Sequence, residues 1–211
     1  MPMVSEIYRQ GSIAVYAAAT AHFAAAGTRH EIEQAVGSAK GKDKAEQAAK
    51  MAIVAEVFGR RELCHRPDGA PFIPGSGASI SVSHCQTLVV LAADRLGRNI
   101  GIDCETASRG AQLGRVAAKF LSAAQSLAWG ADEKHLLRAW TLKEAFYKAA
   151  RIPGLPLADI PLPPAVVWPT LGGGRRGVEM EFRGNRYSFR PVEFAGFAGD
   201  ISLVVEENED F

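Results

Sequence analysis

The sequence predicts an α+β protein made of two portions of similar size. Apolar residues follow helical spacing in the first part of the chain and then change to strand-like alternation between residues 80 and 105. The same change recurs later, where a helical stretch over residues 107–150 precedes strand-like segments near the end of the chain. Helices and strands that are grouped rather than strictly alternating are typical of the α+β class.

Length and composition fit this fold class and limit the possible functions. The 211 residues are 47% hydrophobic, enough for a core in one large domain or two small, closely packed ones. We expect two α+β halves, residues 1–105 and 106–211. The net charge is +1, from 24 basic and 23 acidic residues. Because broad nucleic-acid binding requires an excess of positive charge, we expect no nucleic-acid partner.

The sequence patterns favour a cytoplasmic protein with no membrane partner. No apolar run approaches the length that crosses a bilayer. Glu6 and Arg9 interrupt the N-terminal stretch, so it does not have the pattern of a secretory signal. Three cysteines are too few and too scattered for a disulfide framework.

Two helices are expected in the first half. The alanine-rich stretch 12–26 predicts the first, which ends at Gly27. Small and apolar residues recur at helical spacing over residues 42–58 and predict the second, which Gly59 ends. Three arginines follow this second helix: Arg60, Arg61 and Arg66.

Three strands are expected next, over residues 80–84, 87–94 and 99–105. The four residues 95–98, RLGR, predict a hairpin turn between the last two strands. Those two strands would therefore be neighbours in one sheet.

The second half begins with helices. Ser122 and Gln125 match a capping box for a short helix, and Asp132 can cap a longer helix that Pro153 ends. The proline-rich stretch 151–169 predicts an extended segment on the protein surface. Strand-like segments follow at 177–182, 186–194 and 200–207.

Two carboxylates lie at the end of the strand NIGIDCE, at Asp103 and Glu105. Residues two apart on a strand face the same side, so both acids converge, and each raises the pKa of the other unless a cation compensates. A hard divalent ion such as Mg²⁺ takes oxygen ligands of this kind. The alternative is a strand-end turn with two solvated acids.

A second candidate is the helical stretch 140–148, WTLKEAFYK. Trp140, Glu144 and Lys148 recur every four residues and share one stripe, whereas Lys143 faces elsewhere. The large aromatic ring predicts that the stripe is partly buried, which favours a catalytic carboxylate and amine. The alternative is an ordinary Glu–Lys pair on an exposed face.

The stretch SVSHC, residues 81–85, ends another strand with polar side chains. Neighbouring Ser and His are not triad geometry, and there is no G-x-S-x-G elbow, so a hydrolase is not predicted. Ser83 and His84 are candidates for contact with an anionic ligand; the alternative is a structural histidine. The only dense basic patch near this candidate site contains Arg60, Arg61 and Arg66, which otherwise form solvated surface.

A zinc site is not expected. Cys85 and Cys104 alternate with polar neighbours and so lie on the opposite, buried strand faces. No C-x-x-C pair is present, and inert core thiols are the expectation.

The order of these motifs resembles the 4′-phosphopantetheinyl transferases, specifically the larger, surfactin-type group. In that family a Ser–His strand end precedes a G-I-D-x-E strand and a W-x-x-K-E-x-x-x-K helix. This chain has SVSH at 81–84, GIDCE at 101–105 and WTLKEAFYK at 140–148. The stretch DGAP at 68–71 is similar to the family's Gly-x-Pro loop, so the motifs cover about residues 68–150.

The resemblance implies two similar α+β halves related by a pseudo-twofold, with an active site at their junction. It implies an enzyme, a holo-carrier-protein synthase, that moves 4′-phosphopantetheine from coenzyme A to a serine hydroxyl of an acyl, polyketide or peptidyl carrier protein. The reaction would require Mg²⁺ and release 3′,5′-ADP, and the larger members of the family are expected to be monomers.

The resemblance also implies roles for individual residues. Asp103, Glu105 and Glu144 would be the Mg²⁺ ligands, with Glu144 and Lys148 in the catalytic roles. Lys148 would neutralise the pyrophosphate of coenzyme A. The other expected coenzyme A contacts are Ser83 and His84 and, by proximity, Arg60, Arg61 and Arg66.

Two departures from the family pattern keep alternatives open. Ala70 stands where many relatives have lysine, and Gln125 stands where a glutamate often occurs. A non-catalytic module that binds coenzyme A or a carrier protein is therefore an alternative to the transferase. A Mg²⁺-dependent phosphodiesterase or nuclease using the same acids is a third, although the near-neutral charge disfavours polynucleotides.

Overall fold

The computed structural model describes residues 3–24, 42–165 and 177–207. The chain forms two compact units, residues 1–97 and 98–211, and each combines helices with an antiparallel sheet, which confirms the α+β class. The expected division after residue 105 falls within a strand of the second unit, because that strand pairs with the last strand of the chain. Within the described ranges, no helix is long and apolar enough to cross a membrane.

The first unit contains a four-stranded antiparallel sheet with one long helix packed on it. Its elements are β1 (Ser5–Gln10), β2 (Ile13–Ala19), α1 (Ala21–Ala24), α2 (Lys42–Phe58), β3 (Cys64–His65), β4 (Pro71–Phe72), β5 (Ser79–His84) and β6 (Leu88–Asp94). The sheet order is β1-β2-β6-β5, and β3 and β4 form a small separate ladder. The helix α2 contacts β2 and β6, the two central strands.

The prediction of one helix over residues 12–26 is wrong, because Ile13–Ala19 form the central strand β2 and only Ala21–Ala24 of the described residues are helical. The two edges of β2 are hydrogen-bonded to β1 and β6, so the sheet satisfies the backbone groups that a helix would otherwise pair internally. Ala14, Tyr16 and Ala18 pack in one core with α2. Burial therefore overrides the local preference of alanine for helix. Residues 25–27 lie outside the described part of the chain.

The second unit has the same kind of architecture. Its elements are β7 (Ile100–Thr106), α3 (Gly110–Val116), α4 (Ala123–Trp129), α5 (Glu133–Ala150), β8 (Val178–Phe182), β9 (Asn185–Pro191) and β10 (Gly199–Glu207). The antiparallel sheet has the order β7-β10-β9-β8. The helix α5 lies on β7 and β10.

The predicted hairpin at residues 95–98 is wrong. The strand before it, β6, pairs with β2 and β5, whereas the strand after it, β7, pairs with β10. The two strands were correctly located by their alternating pattern, but β6 pairs with the preceding β5 and the distant β2, and β7 pairs with the distant β10. A short turn-like sequence such as RLGR cannot distinguish a hairpin from a link between separate sheets.

The ends of the long helix α5 follow the sequence signals. Asp132 accepts a hydrogen bond from the backbone N–H of His135, 2.8 Å away, and so caps the first turn. The helix ends at Arg151, which has the left-handed φ of 52°, and Pro153 follows. The inner face of α5 packs on the sheet through Phe146, whose ring stacks with that of Phe189 at 5.7 Å.

The proline-rich segment is more closely attached to the second unit than expected. Its described part, residues 151–165, contains a turn at residues 153–154 and a 3₁₀ turn at Leu157–Asp159. Leu155 and Ile160 are buried in the core of this unit. The remaining residues of the predicted segment lie outside the described ranges.

The two units share one connection pattern. In each, a strand is followed by the long helix and then by two strands, and the first strand pairs with the last. These elements are β2, α2, β5 and β6 in the first unit, and β7, α5, β9 and β10 in the second. In both units the helix lies over the first and last of these strands. The units differ in the extra strand, which is β1 beside β2 in one and β8 beside β9 in the other.

Candidate active site

Gly101 allows α5 to lie unusually close to β7. A Cβ atom at this position would be 1.9 Å from the carbonyl oxygen of Ala145 and 2.6 Å from the amide nitrogen of Ala149. Gly101, Asp103 and Glu105 alternate along the strand and so face the same side, toward this helix. The missing side chain therefore brings the polar stripe of α5 up to the two acids.

Asp103 is paired with the lysine of that stripe. The Lys148 ammonium group donates to Asp103 Oδ1 at 2.7 Å and to the carbonyl oxygen of Ile102 at 2.9 Å. Asp103 is 8% exposed, whereas 29% of the Lys148 side chain is exposed. Asp103 is thus paired with a lysine whose side chain is still partly accessible to solvent.

Glu105 is held by a second cation that the sequence motifs did not identify. Arg109 Nη1 donates to Glu105 Oε2 at 2.5 Å, and the backbone N–H of Thr106 donates to Oε1 at 2.9 Å. The Arg109 guanidinium also lies over the ring of Trp140, with Cζ 5.7 Å from the ring centroid. Trp140 in turn makes an edge contact with Phe120 at 5.2 Å.

Glu144 is the third acid of the group. Burial raises its pKa, and the nearby negative charge of Asp103 raises it further. The positive charges of Lys148 and Arg109 act in the opposite direction without cancelling the shift. A carboxyl group with a raised pKa is better suited to exchange a proton near neutral pH than an ordinary surface glutamate is.

The donor chemistry of this group fits a hard divalent cation, since carboxylate oxygens are the ligands that Mg²⁺ prefers. Within the described residues, no three acids, histidines or cysteines lie in an arrangement that would already hold an ion. The reason is visible for the strand acids, because Asp103 and Glu105 are each engaged by a basic side chain. Metal binding would therefore exchange existing ion pairs.

A further acid lies opposite Glu105 on the neighbouring strand. Asp200 of β10 is the Cα partner of Glu105 in the ladder, so the two side chains share the face covered by α5. Its carboxylate accepts from Arg138 Nε at 2.7 Å and from Thr141 Oγ1 at 2.6 Å, both on α5. This buried network ties α5 to β10 beside the candidate site.

Lys143, the other lysine of the helical motif, faces away from the acids as predicted. It is completely buried, and its ammonium group donates to Gln125 Oε1 at 2.8 Å, to Leu157 O at 2.6 Å and to Ile160 O at 2.8 Å. Burial lowers its pKa to about 7, and the charge of Asp159 opposes this shift.

Gln125 completes this second polar group. It forms the predicted capping box with Ser122, and its amide nitrogen also donates to the carbonyl oxygen of Ile160 at 2.8 Å. Gln125, which stands where the family pattern often has glutamate, therefore contributes to the contact between α4, α5 and the proline-rich segment. Its described hydrogen bonds are with these elements.

The remaining predicted site residues belong to the first unit. His84 lies at the end of β5, where its Nδ1 is 3.1 Å from Glu46 Oε1 of α2, and Ser83 beside it is buried. The exposed arginines follow α2, and Arg66 lies over the ring of Phe72 at 5.2 Å. The three cysteines, Cys64, Cys85 and Cys104, are free thiols.

The structure thus defines an α+β protein whose second unit brings acids and basic side chains together between a strand and a helix. The family model of the 4′-phosphopantetheinyl transferase superfamily matches residues 99–165. The matched part runs from β7 through α5 and contains the strand acids, Arg109, Glu144 and Lys148. The resemblance indicated by the motifs is confirmed there at the level of the superfamily, and it supports a transferase. No curated protein matches the chain closely enough to add to this result.

Proposed function

We propose that this protein transfers 4′-phosphopantetheine from coenzyme A to a serine hydroxyl of a carrier protein and releases 3′,5′-ADP. The observation that supports the proposal is that Asp103 and Glu105 lie on the strand that faces the helix of Glu144 and Lys148, with Lys148 paired to Asp103, in the part of the chain that matches the superfamily. The partner would be an acyl, polyketide or peptidyl carrier protein.

The three acids are the proposed ligands of Mg²⁺. When bound, the ion would neutralise charge on the pyrophosphate of coenzyme A and help to orient it. The fit rests on the donor chemistry of Asp103, Glu105 and Glu144, which are all carboxylates on facing elements.

Glu144 is the proposed proton acceptor. The serine oxygen of the carrier protein attacks the β-phosphorus of coenzyme A, and the bond from that phosphorus to the oxygen of the departing 3′,5′-ADP breaks. The serine proton passes to Glu144, whose raised pKa makes this transfer less unfavourable. Lys148 is placed to donate to phosphate oxygens, because its ammonium group already binds a carboxylate and remains partly exposed.

Residues of the first unit supply the proposed contacts to the other phosphates of coenzyme A. Ser83 and His84 end a strand with a hydroxyl and an imidazole, and His84 retains an exposed side chain. The pairing of His84 with Glu46 means that a phosphate would compete with a carboxylate for this ring. The three arginines that follow α2 are the proposed source of additional positive charge: Arg60, Arg61 and Arg66.

The test is the mass of a carrier protein incubated with coenzyme A, Mg²⁺ and this protein. We expect a gain equal to one phosphopantetheine group, which excess chelator abolishes. Glu144→Gln should slow the gain by about a hundredfold or more, since general base catalysis contributes that much. Glu179→Gln is the matched control, because Glu179 is an exposed acid on β8. Full activity of Glu144→Gln, or of the wild type in chelator, would contradict the proposal.

The non-catalytic alternative is distinguished by the same assay. It was motivated by Ala70 and Gln125, and the structure gives Gln125 a capping and bridging role that is compatible with either function. Binding of coenzyme A with no modified carrier after hours of incubation would favour the binding module. Release of 3′,5′-ADP without a carrier protein would favour a phosphodiesterase.

A further inference from the structure

Arg109 has two partners, and they hold its guanidinium in different ways. One is the carboxylate of Glu105, at 2.5 Å, and the other is the face of Trp140, at 5.7 Å from the centroid. Arg109 follows β7 directly in a 3₁₀ turn, Ala107–Arg109, whereas Trp140 lies on α5. The ring contact is therefore independent of the ion pair and can support the guanidinium if the carboxylate is taken by another cation.

Exposure differs strongly between the two charged partners. The Glu105 side chain is 11% exposed, whereas that of Arg109 is 41% exposed. The carboxylate is also fixed from within the chain by the backbone N–H of Thr106. The acid is thus the fixed partner, and the arginine is the partner that solvent and ligands can reach.

Like Lys148 on the facing helix, Arg109 pairs with one of the two strand acids. Together with Lys148, it offsets much of the negative charge of Asp103, Glu105 and Glu144. A divalent cation that approaches these acids must overcome the repulsion of two resident cations. Once it has displaced them, the group carries an excess of positive charge that suits an anion.

We propose that Arg109 is an exchangeable counter-ion: it neutralises Glu105 until a divalent cation takes that carboxylate, and its freed guanidinium then donates to a phosphate oxygen of the substrate. The inference rests on the divalent cation of the proposed function. Its test measures binding alone, so a protein without transferase activity could still confirm it.

The first measurement is the affinity for Mn²⁺ without substrate, followed by electron paramagnetic resonance. Arg109→Met should bind Mn²⁺ about threefold more tightly than the wild type, or better, because one competing cation is gone. Arg109→Lys keeps the charge and should stay within about twofold of the wild type. Arg115→Met is the matched control, since Arg115 is an exposed arginine on α3, and it should change nothing.

The second measurement is the affinity for preformed magnesium pyrophosphate in excess Mg²⁺, by calorimetry. Arg109→Met should bind this anion about fivefold more weakly, because a guanidinium that donates to phosphate oxygens is lost. The signature of an exchangeable counter-ion is this pair of opposite changes. Arg109→Gln, a second variant without the charge, should show the same pair, and thermal melting checks that each variant is folded.

Either of two results would overturn the inference. If Arg109→Met and Arg109→Gln bind Mn²⁺ as the wild type does, or more weakly, Arg109 does not compete with the metal. If Mn²⁺ binds more tightly but magnesium pyrophosphate is bound equally well, the freed guanidinium does not contact the anion. If both opposite changes are found but the wild-type protein transfers no phosphopantetheine, the proposed reaction fails and the role of Arg109 stands.

Discussion

Lys143 and Lys148 lie on the same helix, little more than one turn apart, but their ammonium groups are held in different ways. Lys143 is completely buried and donates to three neutral oxygens, from one glutamine side chain and two backbone carbonyls. Lys148 is partly exposed and donates to the carboxylate of Asp103 and to one carbonyl.

This difference shows how one short motif can serve both structure and chemistry. Two of the three acceptors of Lys143 are carbonyl oxygens of the proline-rich segment, so exchanging them would require the segment around Leu157 to leave the core. Lys148 has an open side, and a phosphate can replace or share the carboxylate that it binds. We therefore propose that Lys143 contributes stability and that Lys148 neutralises charge on the substrate.

The largest effect that we expect from changing either lysine is on the rate of phosphopantetheine transfer. Lys148→Met should lower phosphopantetheine transfer by about a hundredfold or more, the usual loss when one donor to a developing negative charge is removed. Its unfolding free energy should fall by less than that of Lys143→Met, because the Lys148 side chain is partly exposed and water can replace it beside Asp103. The measurement is single-turnover transfer to a carrier protein. If the transfer rate falls only a few-fold, the role proposed for Lys148 is wrong and the contrast with Lys143 is lost.

The next effect is on stability. Lys143→Met removes the hydrogen bonds of a buried ammonium group to three oxygens, each of which keeps one other described donor, so the free energy of unfolding should fall by about 2 kcal/mol. Urea denaturation measures this difference. The folded fraction should still transfer phosphopantetheine within a few-fold of the wild-type rate. A variant of unchanged stability that has lost activity would reverse the roles assigned to the two lysines.

The third effect is the part of the pH dependence of stability that Lys143 contributes. Its pKa is about 7 in the folded protein, against 10.5 as the ordinary value. Between these values the unfolded chain binds more protons than the folded protein, so the unfolding free energy rises with pH in this window. The rise from pH 7 to pH 9 should be about 2 kcal/mol larger in the wild type than in Lys143→Met. Equal slopes for the two proteins would contradict it.

The smallest effect comes from changing the acceptor. Gln125→Glu places a carboxylate beside the Lys143 ammonium group and so raises the pKa of this lysine toward its ordinary value. The capping box survives, because glutamate serves at this position as glutamine does. We expect a change below about 1 kcal/mol at pH 7 but a flatter dependence of stability on pH. A slope as steep as that of the wild type would show that Gln125 does not set the charge state of Lys143.

Local signals in the sequence predicted much of the second unit correctly. The Asp132 cap and the Ser122–Gln125 capping box are interactions between residues three positions apart, and the structure contains both. The same spacing argument separated Lys143 from the Glu144–Lys148 stripe. Each of these features depends on helix geometry, which fixes neighbours along the chain.

The errors and omissions concern partners that are distant in the sequence. The strand β2 was mistaken for a helix because its hydrogen-bond partners, β1 and β6, cannot be inferred from a run of alanines. Asp200 was missed because only the pairing of β10 with β7 places it opposite Glu105. Arg109 is close to Glu105 in the sequence, but its contact with Trp140 depends on how α5 lies on the sheet.

Because Gly101 has no side chain, β7 and α5 can lie close together at the candidate site. The space between β7 and α5 is smaller than one methyl group requires, since even a Cβ atom would overlap the carbonyl oxygen of Ala145. Alanine at this position would force the helix away from the strand and separate Lys148 from Asp103. Every charged residue of the site would still be present. A search for chemically important side chains would overlook Gly101, although a single carbon atom added at this position is enough to separate the charged groups of the site.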